Sequence, residues 1–391
     1  MYCFPIHQRA GRLTRTTSGL AVAAAIACIA PAAHSQSSVT LYGAIDTGLM
    51  YQSTSAASFS PKAPDRGHVF ALKDAGLYPS FWGLRGLEDL GGGYRAIFRL
   101  QGAFNSTNGA LGLGDNTAPA GSLFNQMAYV GLDGPFGTVT MGRQVAPMAW
   151  AMRDTDVRGG GYFGSILIAW IGMNTAAGWS GGSSNAPIGS LYESNAIVYR
   201  SPTFYGITAS LEYAPGGIAG SIQGNTRESA VLQYANHGLD LAAFYYNGHD
   251  TNPIPLNAAA TGLANNRMIY FGARYRFDGF SVSASYSNGR NPAHSNLVDI
   301  DMYSAGLGYE FTPAFRLTSG VYYLKDRNNS TNKSTMEALG AEYSLSRATI
   351  VYAELGHVNN RGTMTQMLAY GLPVAPGSAT TGVDLGVRHQ F

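Results

Sequence analysis

The sequence predicts an all-β chain built as a sixteen-stranded antiparallel barrel that spans a membrane. Three observations carry that expectation. Apolar and polar residues alternate with period two in segment after segment. The connections between those segments take turns between long and short. No apolar run of 18 or more residues follows the N-terminal region, so spanning helices are not expected. Composition agrees. Glycine is abundant at 50 of 391 residues, tyrosine (24) outnumbers phenylalanine (17), and only 12% of residues are charged. So little charge beside 12% aromatic residues excludes a disordered chain. A net charge of +2 gives no support to nucleic-acid binding. Two cysteines exclude a disulfide scaffold and a four-cysteine metal site.

Residues 1–35 read as a signal peptide. Arg9, Arg12 and Arg15 form a basic region without acids, residues 19–30 (GLAVAAAIACIA) are apolar, and Ala33-His34-Ser35 is a small-residue cleavage site. The apolar core is too short for the roughly 20 residues of a membrane anchor. Cleavage after Ser35 leaves 356 residues, 36–391, and removes both Cys3 and Cys28. Three of the 25 basic residues leave as well, so 22 stand against 23 acidic ones, a net charge of −1.

The strands follow in order from their connections. The gap at about 52–79 is long and 88–93 is short; 105–122 is long and 133–137 short; 146–192 is very long and 201–206 short. Next, 214–228 is long and 236–238 short, and 247–266 is long with a short turn at 278–280. Then 288–299 is long and 312–314 short, 327–333 is moderate and 345–347 short, and 358–380 is long before the last strand. Eight longer loops and seven tight turns require sixteen strands with both chain ends on the tight-turn side, the plan of a transmembrane barrel. Closure leaves no sheet edge in lipid.

Face assignment is clearest in three strands. Residues 268–277 set Ile269, Phe271, Ala273, Tyr275 and Phe277 against Tyr270, Gly272, Arg274 and Arg276. Residues 280–289 set Phe280, Val282, Ala284 and Tyr286 against four serines, and 382–391 set Val383, Leu385, Val387 and Phe391 against Asp384, Gly386, Arg388 and Gln390. Tyr42, Tyr51, Tyr199, Tyr213, Tyr309 and Tyr323, near strand ends, suit interfacial aromatic girdles. Ordinary strand propensity also enriches tyrosine.

SSVTLYGAIDTGLMY at 37–51, FWGLRGLEDLGGGYRAIFRLQ at 81–101, GPFGTVTMGRQ at 134–144, NAIVYRSPTFYGITASLEY at 195–213 and the terminal Phe391 occur in this order. Together they resemble the Gram-negative general diffusion porins, most closely their β-proteobacterial branch. The resemblance covers residues 36–391. It implies a sixteen-stranded barrel, a homotrimer in the outer membrane in contact with lipopolysaccharide, and a third outer loop folded inward to narrow a water-filled pore. It also implies passive diffusion of ions and small hydrophilic solutes, with no catalytic group and no cofactor. Phe391 stands where the family carries its C-terminal aromatic assembly signal.

A selective pore needs a constriction with fixed charges. The longest loop follows the fifth strand, where the family's constriction loop lies, and carries Asp154 and Asp156. Alternation points Arg85, Arg95 and Arg99 inward from the preceding strands. Arg143 matches the family motif, but its parity conflicts with Val139 and Met141, so it reaches the lumen only through a bulge or at the strand's mouth. These residues are the candidate constriction: Arg85, Arg95, Arg99 and Arg143 on one wall, Asp154 and Asp156 on the other, with a transverse field between them. In the alternative, the arginines pair with lumenal carboxylates such as Asp46, Glu310 or Glu354 and stiffen the wall. Residues 159–190 are rich in Gly, Ser and apolar side chains, so part of the loop is expected against the barrel wall or a neighbouring subunit.

No metal site is expected. The histidines are scattered, and Asp299 and Asp301 lack the Gly and distal Glu of a calcium loop. An outer-membrane barrel acting as adhesin or receptor, or as a rim-site enzyme, is the alternative function.

Overall fold

The structure, a computed structural model, describes residues 38–112, 122–179, 186–250, 262, 265–291 and 298–391. The expected signal peptide, residues 1–35, lies outside the described residues. Strand β1 is Ser38–Gln52, β2 runs in two pieces, Val69–Asp74 and Ser80–Gly91, and β3 is Tyr94–Phe104. Then come β4 (Met127–Gly134), β5 (Gly137–Val145), β6 (Tyr192–Arg200), β7 (Ile207–Ala214), β8 (Arg227–Asn236) and β9 (Leu239–His249). The second half comprises β10 (Asn265–Phe277), β11 (Phe280–Arg290), β12 (Asp299–Thr312), β13 (Phe315–Asp326), β14 (Lys333–Ser344), β15 (Thr349–Arg361) and β16 (Ala379–Gln390). Both pieces of β2 pair with β1, at Thr47–Gln52 and at Ser38–Ala44, which makes them one barrel strand with an interruption.

Every strand is antiparallel to its chain neighbour, and β16 pairs with β1 to close the barrel. Phe391 completes the seam: its backbone N–H donates to the Gly43 carbonyl and its carbonyl accepts from Gly43 N–H, both at 3.0 Å. The seven short connections all lie at one end. Among the two-residue turns, His237-Gly238 and Asp278-Gly279 have all four residues at positive φ. That is the hairpin geometry whose twist matches the strands.

The period-two faces stand as the sequence predicts. On β16, Leu385 is 53% exposed while Asp384 is fully buried; on β10, Phe271 faces out and Tyr270 is fully buried in the interior. An outward apolar surface of this extent has lipid as its solvent. Among the described residues no helix is long and apolar enough to cross a membrane; the strands do the spanning.

Aromatic rings mark two levels. Over the turn ends of β10–β13, Tyr275, Phe277, Phe280, Tyr309, Phe311 and Phe315 form an unbroken chain of ring contacts with centroids 4.5–5.7 Å apart. Nearer the loops, Tyr286, Tyr303 and Tyr323 form a second series. One expectation is corrected. Tyr42 is not in a girdle: Leu41 takes the lipid face, so the next residue turns inward, and its hydroxyl reaches Gln101 at 2.8 Å.

The loop after β5 fills part of the lumen. It carries helix α1 (Pro147–Asp154), opened by Pro147, and helix α2 (Ile166–Ala176), capped by Ser165, whose Oγ accepts from the Leu167 and Ile168 N–H groups. Ten of the eleven α2 residues are buried, so this helix is enclosed except where its first turn borders the lumen at Leu167. The apolar run 162–173 is apolar all round because it is surrounded: α2 packs on β12 and β13, and α1 on β8 and β9. Of the two placements open for this loop, the barrel wall takes it.

Candidate pore constriction

Two devices shape the lumen. The first is the break in β2. Ala75 adopts φ 63°, a left-handed conformation that turns the chain inward over residues 75–79. Gly76 follows because a Cβ there would collide with the Tyr352 hydroxyl. The exposed backbone donors of this excursion end on one carboxylate: Asp46 accepts from the N–H groups of Gly76, Leu77 and Tyr78 at 3.0–3.2 Å. Tyr352 Oη donates to the same carboxylate at 2.8 Å, and Arg388 Nη1 lies 3.3 Å from it. The excursion delivers Tyr78 and Pro79 to the lumen.

The second device is the seating of the long loop. Asp156 is buried. Its Oδ2 accepts from Ile166 N–H at 3.2 Å, at the start of α2, and from Gly160 N–H, while its Oδ1 accepts from Tyr322 Oη at 2.9 Å. Burial pushes its carboxyl above the ordinary carboxylate range, against the hydrogen bonds from Ile166 and Tyr322 that favour the charge. Two residues on, Arg158 Nη2 meets Glu354 Oε2 at 2.5 Å with both side chains 3% exposed. Arg158 also donates to the carbonyls of Gly164 and Thr318. Thr155 bonds Tyr270 at 2.7 Å, and the Val157 N–H reaches Ser283 Oγ. Residues 155–166 are thereby fastened to the β10–β15 wall.

Three adjoining cavities lie between this loop and the opposite wall. The outer one (≈ 390 Å³) is lined by residues such as Lys73, Asn105 and Tyr370 near the long loops. The inner one (≈ 440 Å³) is lined by Thr138, Arg200 and Asp154 near the short turns. The middle one is the smallest (≈ 230 Å³); it shares Tyr162, Leu191 and Tyr192 with the outer cavity and Arg99, Trp150 and Arg153 with the inner. Three arginines, Arg99, Arg153 and Arg388, line it, and among the described residues none of its lining is acidic.

The predicted residues divide. Arg85 and Arg99 face each other across the β2–β3 register, and both guanidinium groups stand over the Tyr42 ring at 5.3 and 5.0 Å. Arg99 Nε donates to Tyr42 Oη at 2.6 Å and Nη2 to Gln101 at 3.0 Å, so these partners are neutral. The bulge that Arg143 required is present: the β5–β6 register shifts between Gly142 and Gln144, with Asn195 at φ 58°. Arg143 then bonds the Asn125 carbonyl and Ser194 Oγ and stacks 5.8 Å from Tyr192, itself a lining residue. Asp154 reaches the inner cavity, held by Arg153 at 2.6 Å.

Arg95 and Asp156 do not join them. Arg95 lies beside the Gly92-Gly93 turn, ion-paired with Asp133 across the β3–β4 register. Asp156 serves the loop's own packing. Of the lumenal carboxylates weighed as partners, Glu354 takes Arg158 and Asp46 takes Arg388. Sequence reasoning missed Tyr42, Trp150, Arg153 and Arg388. For Arg388 a signal existed, since alternation along β16 puts it opposite Leu385 and Val387. Arg153 and Trp150 lie on α1, a helix that period-two patterning does not register.

The comparisons with known proteins agree with this architecture. A family model described as Gram-negative porin matches residues 20–363. Outer membrane porin protein 32 of Delftia acidovorans is 28% identical over 389 residues, covering 95% of this chain and 99% of the relative. An outer membrane porin protein of Bordetella pertussis is 26% identical over 416 residues, with the same coverage of both. Among solved structures, an anion-selective porin from Comamonas acidovorans superposes with a TM-score of 0.74 at 24% identity, covering 91% of this chain and 100% of that one. A trimer form of OmpT from Vibrio cholerae superposes with a TM-score of 0.60 at 14% identity, covering 91% and 99%.

Proposed function

The chain belongs to the Gram-negative porins, and from that premise we propose that its outer-membrane channel, a route for passive diffusion, favours anions. One observation carries the proposal: the smallest of the three adjoining cavities is lined, among the described residues, by three arginines and no carboxylate. Arg153 and Arg388 have acidic partners outside that lining, whereas Arg99 is held by Tyr42 and Gln101 and keeps an uncompensated charge. Fixed positive charge beside a low-dielectric wall raises the local anion concentration. Arg85 extends this field along the wall, and Arg143 sits behind Tyr192. On the loop side Asp154 supplies a carboxylate only to the inner cavity, so the transverse field is weighted towards its basic wall. The anion selectivity stated for the Comamonas protein points the same way.

Reversal potential in a KCl gradient tests this directly. Anion preference in the wild-type channel, reduced in Arg85→Ala/Arg99→Ala, is the expected result. A cation-selective wild type sinks it.

Three further assignments belong to the same proposal. Residues 1–35 are a cleaved signal peptide. The barrel assembles as a homotrimer, a reading supported by the trimer form of the Vibrio cholerae structure, and its outer face meets lipopolysaccharide. Phe391, bonded into the closing seam and 55% exposed, is the assembly signal. Loss of detergent-resistant trimers on deleting Phe391 is the expected outcome.

A further inference from the structure

The middle cavity has a second property that a passage for inorganic ions does not require. The loop presents Trp150 and Leu167 to the space that Arg99 lines, and Tyr78, from the interruption of β2, lines it too. The Trp150 side of α1 is open, and the Arg153 guanidinium lies 4.1 Å over its ring. Arg388 similarly stands 5.4 Å over the Tyr78 ring. Cationic groups and aromatic rings therefore share one small cavity that, among the described residues, has no carboxylate in its lining.

Water against the apolar part of this wall is poorly accommodated and is displaced favourably by an apolar surface. Chloride can answer the guanidinium charge but leaves that wall unsatisfied. A cation or a zwitterion lacks the acidic partner that its positive group needs. A solute with a carboxylate at one end and a flat ring at the other satisfies both sides, through charge-assisted hydrogen bonds to Arg99 and offset stacking on aromatic faces.

We propose that the middle cavity is a transit subsite for aromatic carboxylates, with the carboxylate at Arg99 and the ring against Trp150 and Leu167. This rests on the anion-favouring reading above and adds the organic body of the preferred solute. Transit demands weak binding: the subsite raises occupancy at the narrow point without holding the solute.

The test is planar-bilayer recording on the purified full-length channel in KCl, with sodium benzoate or sodium acetate added at equal concentration. Benzoate is expected to reduce the chloride current saturably, at concentrations where acetate produces a much smaller effect. Trp150→Ala should weaken the benzoate effect roughly threefold to tenfold, the magnitude of one lost aromatic contact, with a smaller change for acetate. Should that variant yield no channel, Leu167→Ser gives the same paired comparison. Equal effects of benzoate and acetate on the wild-type channel, at every concentration, overturn the subsite while leaving anion preference standing. A channel without anion preference in plain KCl overturns the reading beneath it.

Discussion

The two sides of the barrel interior both carry arginines, and they use them differently. On the β10–β15 side, Arg158 is buried against Glu354 and bonded to three backbone carbonyls, so its charge is consumed in holding the loop. On the β1–β3 side, Arg99 has neutral partners and lines open space. Residue type is the same; the presence of a desolvated carboxylate decides whether the charge fastens structure or acts on solutes. The acids divide by the same rule. Asp156 is spent on the α2 N-terminus and Asp46 on the broken strand, which leaves the cavity between them basic.

The largest expected effect comes from breaking the fastened side. Arg158→Ala leaves Glu354 buried without its counter-charge, a loss of about 3–5 kcal/mol. Thermal unfolding in detergent should show it, and single-channel conductance should rise and become noisy as the loop leaves the wall. Replacing both partners with apolar residues, Arg158→Met/Glu354→Leu, is expected to recover most of the stability, because no unpaired charge remains. A double variant as unstable as Arg158→Ala would assign the cost to Arg158's carbonyl bonds instead.

Gly76 comes next. A Cβ at this position meets Tyr352 Oη, which in turn is bonded to Asp46. Gly76→Ala should cost about 1–3 kcal/mol by overpacking and disturb the excursion that carries Tyr78 into the lumen. Tyr352→Ala removes the hydroxyl and the ring carbons that the Cβ would meet, so the two substitutions together should cost less than their sum. Strict additivity in a double-mutant cycle would contradict this coupling.

On the open side, Arg99→Ala and Arg95→Ala separate a lumenal charge from one at the rim. Arg99→Ala is expected to move the reversal potential in a KCl gradient markedly towards zero. Arg95→Ala should move it little, since Arg95 is half-exposed, paired with Asp133 and screened by solvent beside the short turns. Equal shifts would mean that net charge, and not position along the pore, sets selectivity.

The barrel was legible in the sequence because two physical signals recur along the whole chain: the alternation demanded by a lipid face opposite a wet one, and the alternation of turn and loop lengths. Inward and outward assignments for β10, β11 and β16 follow from parity alone. The lumen was less legible. Parity says that Arg85, Arg95 and Arg99 point inward, but not how far along the axis each lies or which carboxylate reaches it. Asp156 looked like a pore acid by its place in the long loop. Its actual partners, Tyr322 and the Ile166 N–H, are separated from it by 166 and 10 residues. The break in β2 had no pattern signal at all: it depends on Asp46 collecting three N–H groups from a segment 30–32 residues away.

The smallest effect follows from Asp156 itself, and it separates anchoring from pore electrostatics. Burial raises its carboxyl pKa above the unfolded value, so the folded loop holds this proton more tightly than the unfolded chain does. The stability it contributes is fully present below the ordinary carboxylate pKa and is lost as pH rises through the raised one. Asp156→Asn keeps an acceptor for the Ile166 N–H and removes the titration. The difference in unfolding temperature between wild type and variant should therefore shift in the variant's favour from mildly acid to neutral pH. Ion selectivity should change far less than in Arg99→Ala, because the carboxyl does not line the middle cavity. A difference independent of pH, or a selectivity shift as large as that of Arg99→Ala, would return Asp156 to the pore wall.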